Sequence, residues 1–342
     1  MVLASRVQRG FHSGAPWVSR VVAFLREPRI DIVAVCHEPQ GYCLRLWDSA
    51  AGVVLREIHL IDHEWVHAVR VSRSGDAIAI GYGPGYLQVC HCRRGHVERF
   101  HKRCGTSGLT EFAFQQDGPI IASSSRDGHV YIVNVSTQQM ISDAKFAEVF
   151  SMTWSRCGSL LAIATEHDLC IHDIRNGDYR WYNEFLGSGR NITALGFSSE
   201  RNLLAVGGWE VILLSEEEAS DTNIMHHRQR VSLEDCHTAE AFAWLPRGVA
   251  FVTLLHEWSE TGTTDSHLRI FDTGTSSWVH TVNMQPGLVV RCFAIDTYGH
   301  TIAAATEDGM CFWDVGCASW LSRQPLQIAY ELANSQLLAV LD

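Results

Sequence analysis

The sequence predicts an all-β fold built from repeated four-stranded antiparallel sheets, and three observations carry that prediction. The first is a phrase that returns. Leu44-Arg45-Leu46-Trp47-Asp48-Ser49-Ala50-Ala51-Gly52 alternates apolar and polar side chains, closes on Trp-Asp and enters a turn. Leu268 to Thr273 and Met310 to Gly316 repeat it, and weaker copies run Leu87 to Gly95, Val130 to Val135, Leu169 to Gly177 and Val211 to Ser215. The second is the spacing: the Asp-equivalent positions Asp48, His91, Asn134, Asp173, Ser215, Asp272 and Asp314 are separated by 43, 43, 39, 42, 57 and 42 residues. A period of about 40–45 residues suits a unit of four strands. The third is a turn followed by a short apolar run ahead of the phrase, as in Ser74 to Gly81, Asp117 to Ser123, Cys157 to Ala164, Asn202 to Gly207 and Gly299 to Thr306. Runs of small and branched apolar residues suit a strand buried on both faces. Each is preceded by an alternating strand such as Thr110 to Phe114 or Ala241 to Trp244.

These motifs resemble the WD-repeat β-propellers, and Asp62-His63-Glu64-Trp65-Val66-His67-Ala68-Val69 is similar to that family's His-to-Val entry into an innermost strand. The resemblance spans about residues 17–342 and implies four-stranded blades, with seven expected and eight the alternative. Propellers host many unrelated functions, so the fold alone names no partner.

Residues 1–16 hold Arg6, Arg9 and His12 and no acid. Val2 to Phe11 is expected to add an outer strand to the last blade, removing an open sheet edge. A transit peptide is the other reading of this segment. Blade one is placed at about Val18 to Ile58, with Ile30 to Val35 as its buried strand. Blade two runs from about Val66 to Phe100, with Cys90-His91 replacing Trp-Asp, and blade three from about Leu109 to Ile141. In blade three Asp127-Gly128 supplies the positive φ of a tight hairpin. Blade four spans about Val149 to Phe185. Blade five starts near Asn191 and blade six near Thr238, and between them they carry two excesses, Ser215 to Arg230 and His256 to Asp265, which account for the 57-residue step. Blade seven runs from about Leu288 to Leu321. Leu326 to Glu331 and Gln336 to Leu341 then copy the first two strands of a further repeat. That half repeat either joins the N-terminal segment in a composite blade or belongs to a longer array.

The formal net charge of −11 disfavours a nucleic-acid role, which needs a concentrated positive face. No segment reaches the roughly 18 apolar residues of a membrane-spanning helix. The 11 cysteines show no disulfide framework and read as reduced thiols, which places the chain inside the cell, in cytoplasm or nucleus rather than the mitochondrion.

Three clusters invite a chemical reading. Cys90-His91-Cys92 with His96, His101 and Cys104 has zinc-ligand types, but neighbours along a strand face opposite ways and Cys90 fills the slot of Trp47 and Trp313, so it is read as core. His226-His227 with Asp235, Cys236 and His237 lies in the blade-five excess and is read as a solvated loop. Arg93-Arg94-Gly95 resembles the Arg-Arg-Gly of phosphoinositide-binding propellers but stands in the wrong turn. Neither Gly-x-Ser-x-Gly nor a Gly-Lys-Ser/Thr loop occurs, so no catalytic residue, metal or cofactor is expected. Asp127, Thr306 and Asp308 are read as fold-forming.

The resemblance implies a protein-binding platform, working alone as a monomer or within a complex. Its partner-binding residues stand just before the turn into each third strand, here Arg126, His167, Trp209 and Glu307. The excesses add Glu216, Glu217 and Trp258, because polar insertions on a rigid scaffold often carry specificity. Two other classes stay open: a sensor propeller cut from a NACHT-type signalling ATPase, and an enzyme or small-ligand binder with its site in the central channel.

Overall fold

The computed structural model describes residues 5–6, 22–27, 30–38, 41–48, 53–59, 66–72, 77–83, 85–91, 98–116, 118–165, 168–182, 192–198, 200–216, 225–233, 237–258, 264–282, 284, 288–296, 299–306 and 309–314. Twenty-eight strands are described, together with one 3₁₀ turn at Pro246–Gly248. Strand β1 is Ser5–Arg6. Blade one follows with β2 Val22–Glu27, β3 Ile30–Glu38, β4 Gly41–Asp48 and β5 Val53–His59. Blade two holds β6 Val66–Val71, β7 Ala77–Tyr82, β8 Tyr86–His91 and β9 Glu98–Arg103. Blade three holds β10 Leu109–Phe114, β11 Ile120–Ser125, β12 His129–Asn134 and β13 Gln139–Lys145. Blade four holds β14 Val149–Trp154, β15 Leu160–Thr165, β16 Leu169–Asp173 and β17 Asp178–Trp181. Blade five holds β18 Ala194–Phe197, β19 Leu203–Gly207, β20 Glu210–Glu216 and β21 Met225–Ser232. Blade six holds β22 His237–Trp244, β23 Ala250–Trp258, β24 Thr264–Asp272 and β25 Ser277–Val282. The last sheet combines β26 Val290–Ile295, β27 Thr301–Thr306 and β28 Gly309–Asp314 with β1.

The described residues thus form seven four-stranded antiparallel sheets. Six are meanders in chain order. In the seventh, β1 lies beside β28, with Ser5 opposite Trp313 and Arg6 opposite Phe312. Innermost strands of successive blades touch from β6 through β10, β14, β18 and β22, and β26 reaches β2, which returns the last sheet to the first. The half repeat read at 326–341 and the Arg93–Arg94 turn lie outside the described residues.

The core is a series of layers between blades. The second strands of blades two, four and five are buried on both faces: every residue of Ala77–Tyr82, Leu160–Thr165 and Leu203–Gly207 is buried. Between blades two and three, Ala79, Leu87 and Val89 meet Leu109, Phe112 and Ile121. Between blades five and six, Ala205, Val211 and Leu213 meet Ala239, Phe251, Leu255 and Phe271. Side-chain hydrogen bonds also cross between blades, the indole N–H of Trp154 in blade four donating to Ala113 O in blade three at 3.0 Å and that of Trp244 in blade six to Gly196 O in blade five at 2.8 Å. One irregularity recurs. The pairing of first and second strands skips a residue at His67, Thr110, Phe150, Glu240 and Arg291. A bulge at the same register in five blades bends each inner strand as it enters the ring.

Blade four contains a buried titratable group. His172 is 4% exposed, its ring stacks on Tyr179 with centroids 4.1 Å apart, and its Nδ1 lies 3.2 Å from Asp178 O. Burial holds its pKa below the ordinary 6.5, outweighing the Asp178 carbonyl and the Asp173 charge, which pull upward. The folded protein therefore keeps His172 neutral where the unfolded chain takes up a proton. This contribution to stability is complete above about pH 6.5 and is lost as pH falls below it towards the folded-state pKa. Unfolding by urea between pH 5 and 7.5 is expected to show that acid limb and to show it flattened in His172→Phe. Burial pushes His280 the same way, so part of the limb persists.

Candidate partner-binding face

An antiparallel meander reverses direction at every strand. The link from second to third strand and the link into the first strand of a blade therefore open on one face of the ring, here called the entry face. Links from first to second and from third to fourth strand open on the other. This divides the residues singled out from the sequence. Arg126 follows β11 and Trp209 joins β19 to β20, both exposed on the entry face. Trp258 ends β23 on that face, and its backbone pairs with Thr264. His167 and Glu307 lie outside the described residues, in the equivalent links of blades four and seven. Glu216 ends β20 on the opposite face, and Glu217 follows it outside the described residues. The two excesses, read from sequence as one kind of insertion, therefore point to opposite faces. The blade-six excess is also only partly loop, because its flanks extend the β23–β24 hairpin to nine residues on each strand.

The turns that carry the exposed candidates are held rigidly. Arg126 N donates to Gly108 O at 2.9 Å, fixing its turn to the link entering β10. The hydroxyl of Ser125 donates to the Asp127 carboxylate, which lowers that carboxyl's pKa and occupies it structurally. Trp209 is 47% exposed, while the preceding Gly208 accepts from Ala239 N at 2.9 Å. Just behind it, Glu210 pairs with Arg230 at 3.2 Å. A large aromatic is thus displayed on a backbone tied to blade six.

Beside that turn lies a cluster that sequence reading did not assemble. His237 opens β22, Glu257 lies near the end of β23 and His267 near the start of β24. Glu257 Oε2 is 3.4 Å from His267 Nε2 and 3.9 Å from His237 Nε2. The two imidazole rings lie 5.3 Å apart. By contrast, the proposed grouping of His237 with His226 and His227 comes apart. Those two sit at the start of β21, opposite Ser215 and Leu214, at the far end of blade five from His237. Asp235 and Cys236 lie outside the described residues. The Cys90 cluster also separates. Cys90 is buried in β8 opposite Ile78, whereas Cys104 N bonds Gly85 O at the other end of the hairpin. The side chains of His91 and His101, and residues Cys92 and His96, lie outside what is described.

On the inner strands, Arg70 Nη2 lies 2.5 Å from Glu111 Oε1. Glu111's charge raises the Arg70 pKa, while enclosure raises that of Glu111 against Arg70's pull. On the outer edge of blade four, Trp181 and Tyr179 are exposed and their rings approach Phe146 with centroids 6.0 and 5.9 Å away. Pro246–Gly248 is the only helical turn among the described residues, and none of their helices is long and apolar enough to cross a membrane.

Residues 69–156 match the family model of the anaphase-promoting complex subunit 4 WD40 domain. No curated protein matches the chain. Among solved structures, a chain of the "Crystal Structure of Mitotic Checkpoint Complex" superposes with a TM-score of 0.68 at 16% identity, covering 86% of each chain. At that identity the likeness speaks for the fold, which 1637 chains of solved structures share in recognisable form. The ring of four-stranded antiparallel sheets gives this chain the β-propeller fold, and the returning Trp-Asp phrase and the matched segment at 69–156 make it similar to the WD-repeat propellers.

Proposed function

We propose that the chain is a non-catalytic scaffold that binds partner proteins across its entry face, with Trp209 as the main anchor and Arg126 and the blade-six hairpin around it. The observation that carries this reading is Trp209 itself, nearly half exposed on a turn whose backbone is fixed to the next blade. Trp and Arg are the side chains most often found as energetic anchors, and a rigid display lowers the entropy lost on docking. The match to a segment of an anaphase-promoting complex subunit, and the likeness to a chain of a mitotic checkpoint complex, agree with a role inside an assembly. The link after Glu216 is a second contact surface on the opposite face.

Capture of partners on the tagged chain from its own cells, quantified by mass spectrometry, tests the reading. Trp209→Ala is expected to cut recovery of entry-face partners by about tenfold or more, the effect of losing an anchor worth about 2 kcal/mol. Arg126→Ala should act in the same direction. Deletion of 217–224 should remove a different set of partners. Recovery unchanged in all three variants would overturn the assignment of both faces.

A further inference from the structure

We propose that His237, Glu257 and His267 form a binding site for a divalent metal ion of the zinc class, at the mouth of the seam between blades five and six. The three donor atoms, one from each side chain, lie within 4.8 Å of one another. Zinc binds imidazole nitrogen and carboxylate oxygen at about 2.0–2.2 Å with tetrahedral angles, which sets donors about 3.3–3.5 Å apart. The Glu257–His267 separation of 3.4 Å already fits, and that from His237, 3.9 Å, needs a shift of about half an ångström. Two histidines and a glutamate with one position left open form a known zinc-binding set, and imidazole nitrogen favours zinc over magnesium or calcium.

The strands explain why the three converge. His237 pairs with Glu257 across β22 and β23, and Glu257 pairs with Asp265 across β23 and β24. Cross-strand partners share a face, and Asp265 and His267, two apart, share it too. That is the face on which Ala239, Leu255 and Phe271 pack against blade five. His237 is buried, with its side chain 7% exposed, while Glu257 and His267 are 46% and 33% exposed. One ligand is therefore preset by packing and two face the solvent from which the ion arrives. Both Nε2 atoms point to the carboxylate, so each imidazole would bind as the neutral Nδ1–H tautomer and offer its Nε2 lone pair. Binding would tie the base of the β23–β24 hairpin to the first strand of blade six, next to the Gly208–Trp209 turn.

The test is titration of the chelator-treated full chain with Zn2+ by calorimetry, and with Co2+ by visible absorption. One equivalent of Zn2+ is expected to bind, and Co2+ should develop the strong visible bands of a four-coordinate site. His267→Ala and Glu257→Gln, the second nearly isosteric, are each expected to weaken Zn2+ by about 100-fold with the circular dichroism spectrum unchanged. His226→Ala/His227→Ala should leave binding intact. Failure to bind Zn2+, or binding untouched by His267→Ala and Glu257→Gln, would overturn the site and leave a histidine–carboxylate ion-pair network. The proposal does not depend on the partner reading. Loss of zinc with partners retained would leave the scaffold standing, and loss of partners in Trp209→Ala with zinc retained would leave the metal site standing.

Discussion

Phe251→Ala is expected to destabilise the fold by about 3–5 kcal/mol, the range for deleting a fully buried aromatic ring. Phe251 has no exposed surface and stands at the centre of an aromatic row that crosses blade six. Phe242 and Trp244 meet it edge-on at 5.4 and 5.2 Å between centroids, Phe271 stacks at 5.4 Å, and Trp278 continues the row 5.1 Å beyond Phe271. One truncation therefore removes three ring contacts and opens a void facing Ala205 and Leu213 of blade five. Neighbouring strands are held by their ladders and can collapse only partly, so the upper part of the range is expected. Chemical denaturation of the purified variant checks it. A loss below about 1 kcal/mol would mean that the seam repacks freely.

Gly207→Val should act at the same seam through the opposite fault, too much volume. A Cβ at Gly207 would stand 2.7 Å from two ring carbons of Phe242 and 3.0 Å from Ala239 Cβ. Real carbon atoms do not approach so closely, and the ring cannot swing away because Phe251 lies against it. Overpacking of this kind costs about 1–3 kcal/mol, and two added methyl groups place this variant at the upper end. The mechanism has its own signature. Phe242→Leu, harmful alone, should recover part of the loss when combined with Gly207→Val, a coupling of about 0.5–3 kcal/mol. Additive losses in the double variant would mean that the valine acts on its own strand instead. The shift should also reach the entry face, since Gly208 and Trp209 follow directly in the chain.

The ring was legible because each blade repeats the same burial problem. A strand pressed between two others favours small and branched apolar residues on both sides, as the buried runs Ala77–Ile80, Leu160–Ala164 and Ile302–Ala305 show. Trp209 was legible as a candidate because its place follows from the repeat register alone. The faces were harder to read. Glu216 and Trp209 are seven residues apart in one blade, yet a single pass of β20 carries them to opposite sides of the ring. The same reversal separates His226 and His227 from His237, although the sequence sets them close together. The His237, Glu257 and His267 cluster left no local signal, because it depends on the pairing of three strands and on a hairpin longer than its counterparts. That register is set by hydrogen bonding across the sheet, and the bulge at Glu240 shifts it by one residue within β22. The signal that was available is the unusual length of the blade-six excess between His256 and Asp265.

The pairing of Ser5 with Trp313 also concerns how the protein is made. The partners stand 308 positions apart, 313 against 5, so at about 5–20 residues per second the first waits roughly 15–60 s on the ribosome for the second. Blades one to six can form in order as each emerges, since each is a local meander. The last sheet cannot be completed until β1 returns to the newly made β28. Anything that engages residues 5 and 6 during that interval, whether a chaperone or another unfinished copy, would leave the last sheet with the edge of β28 uncovered.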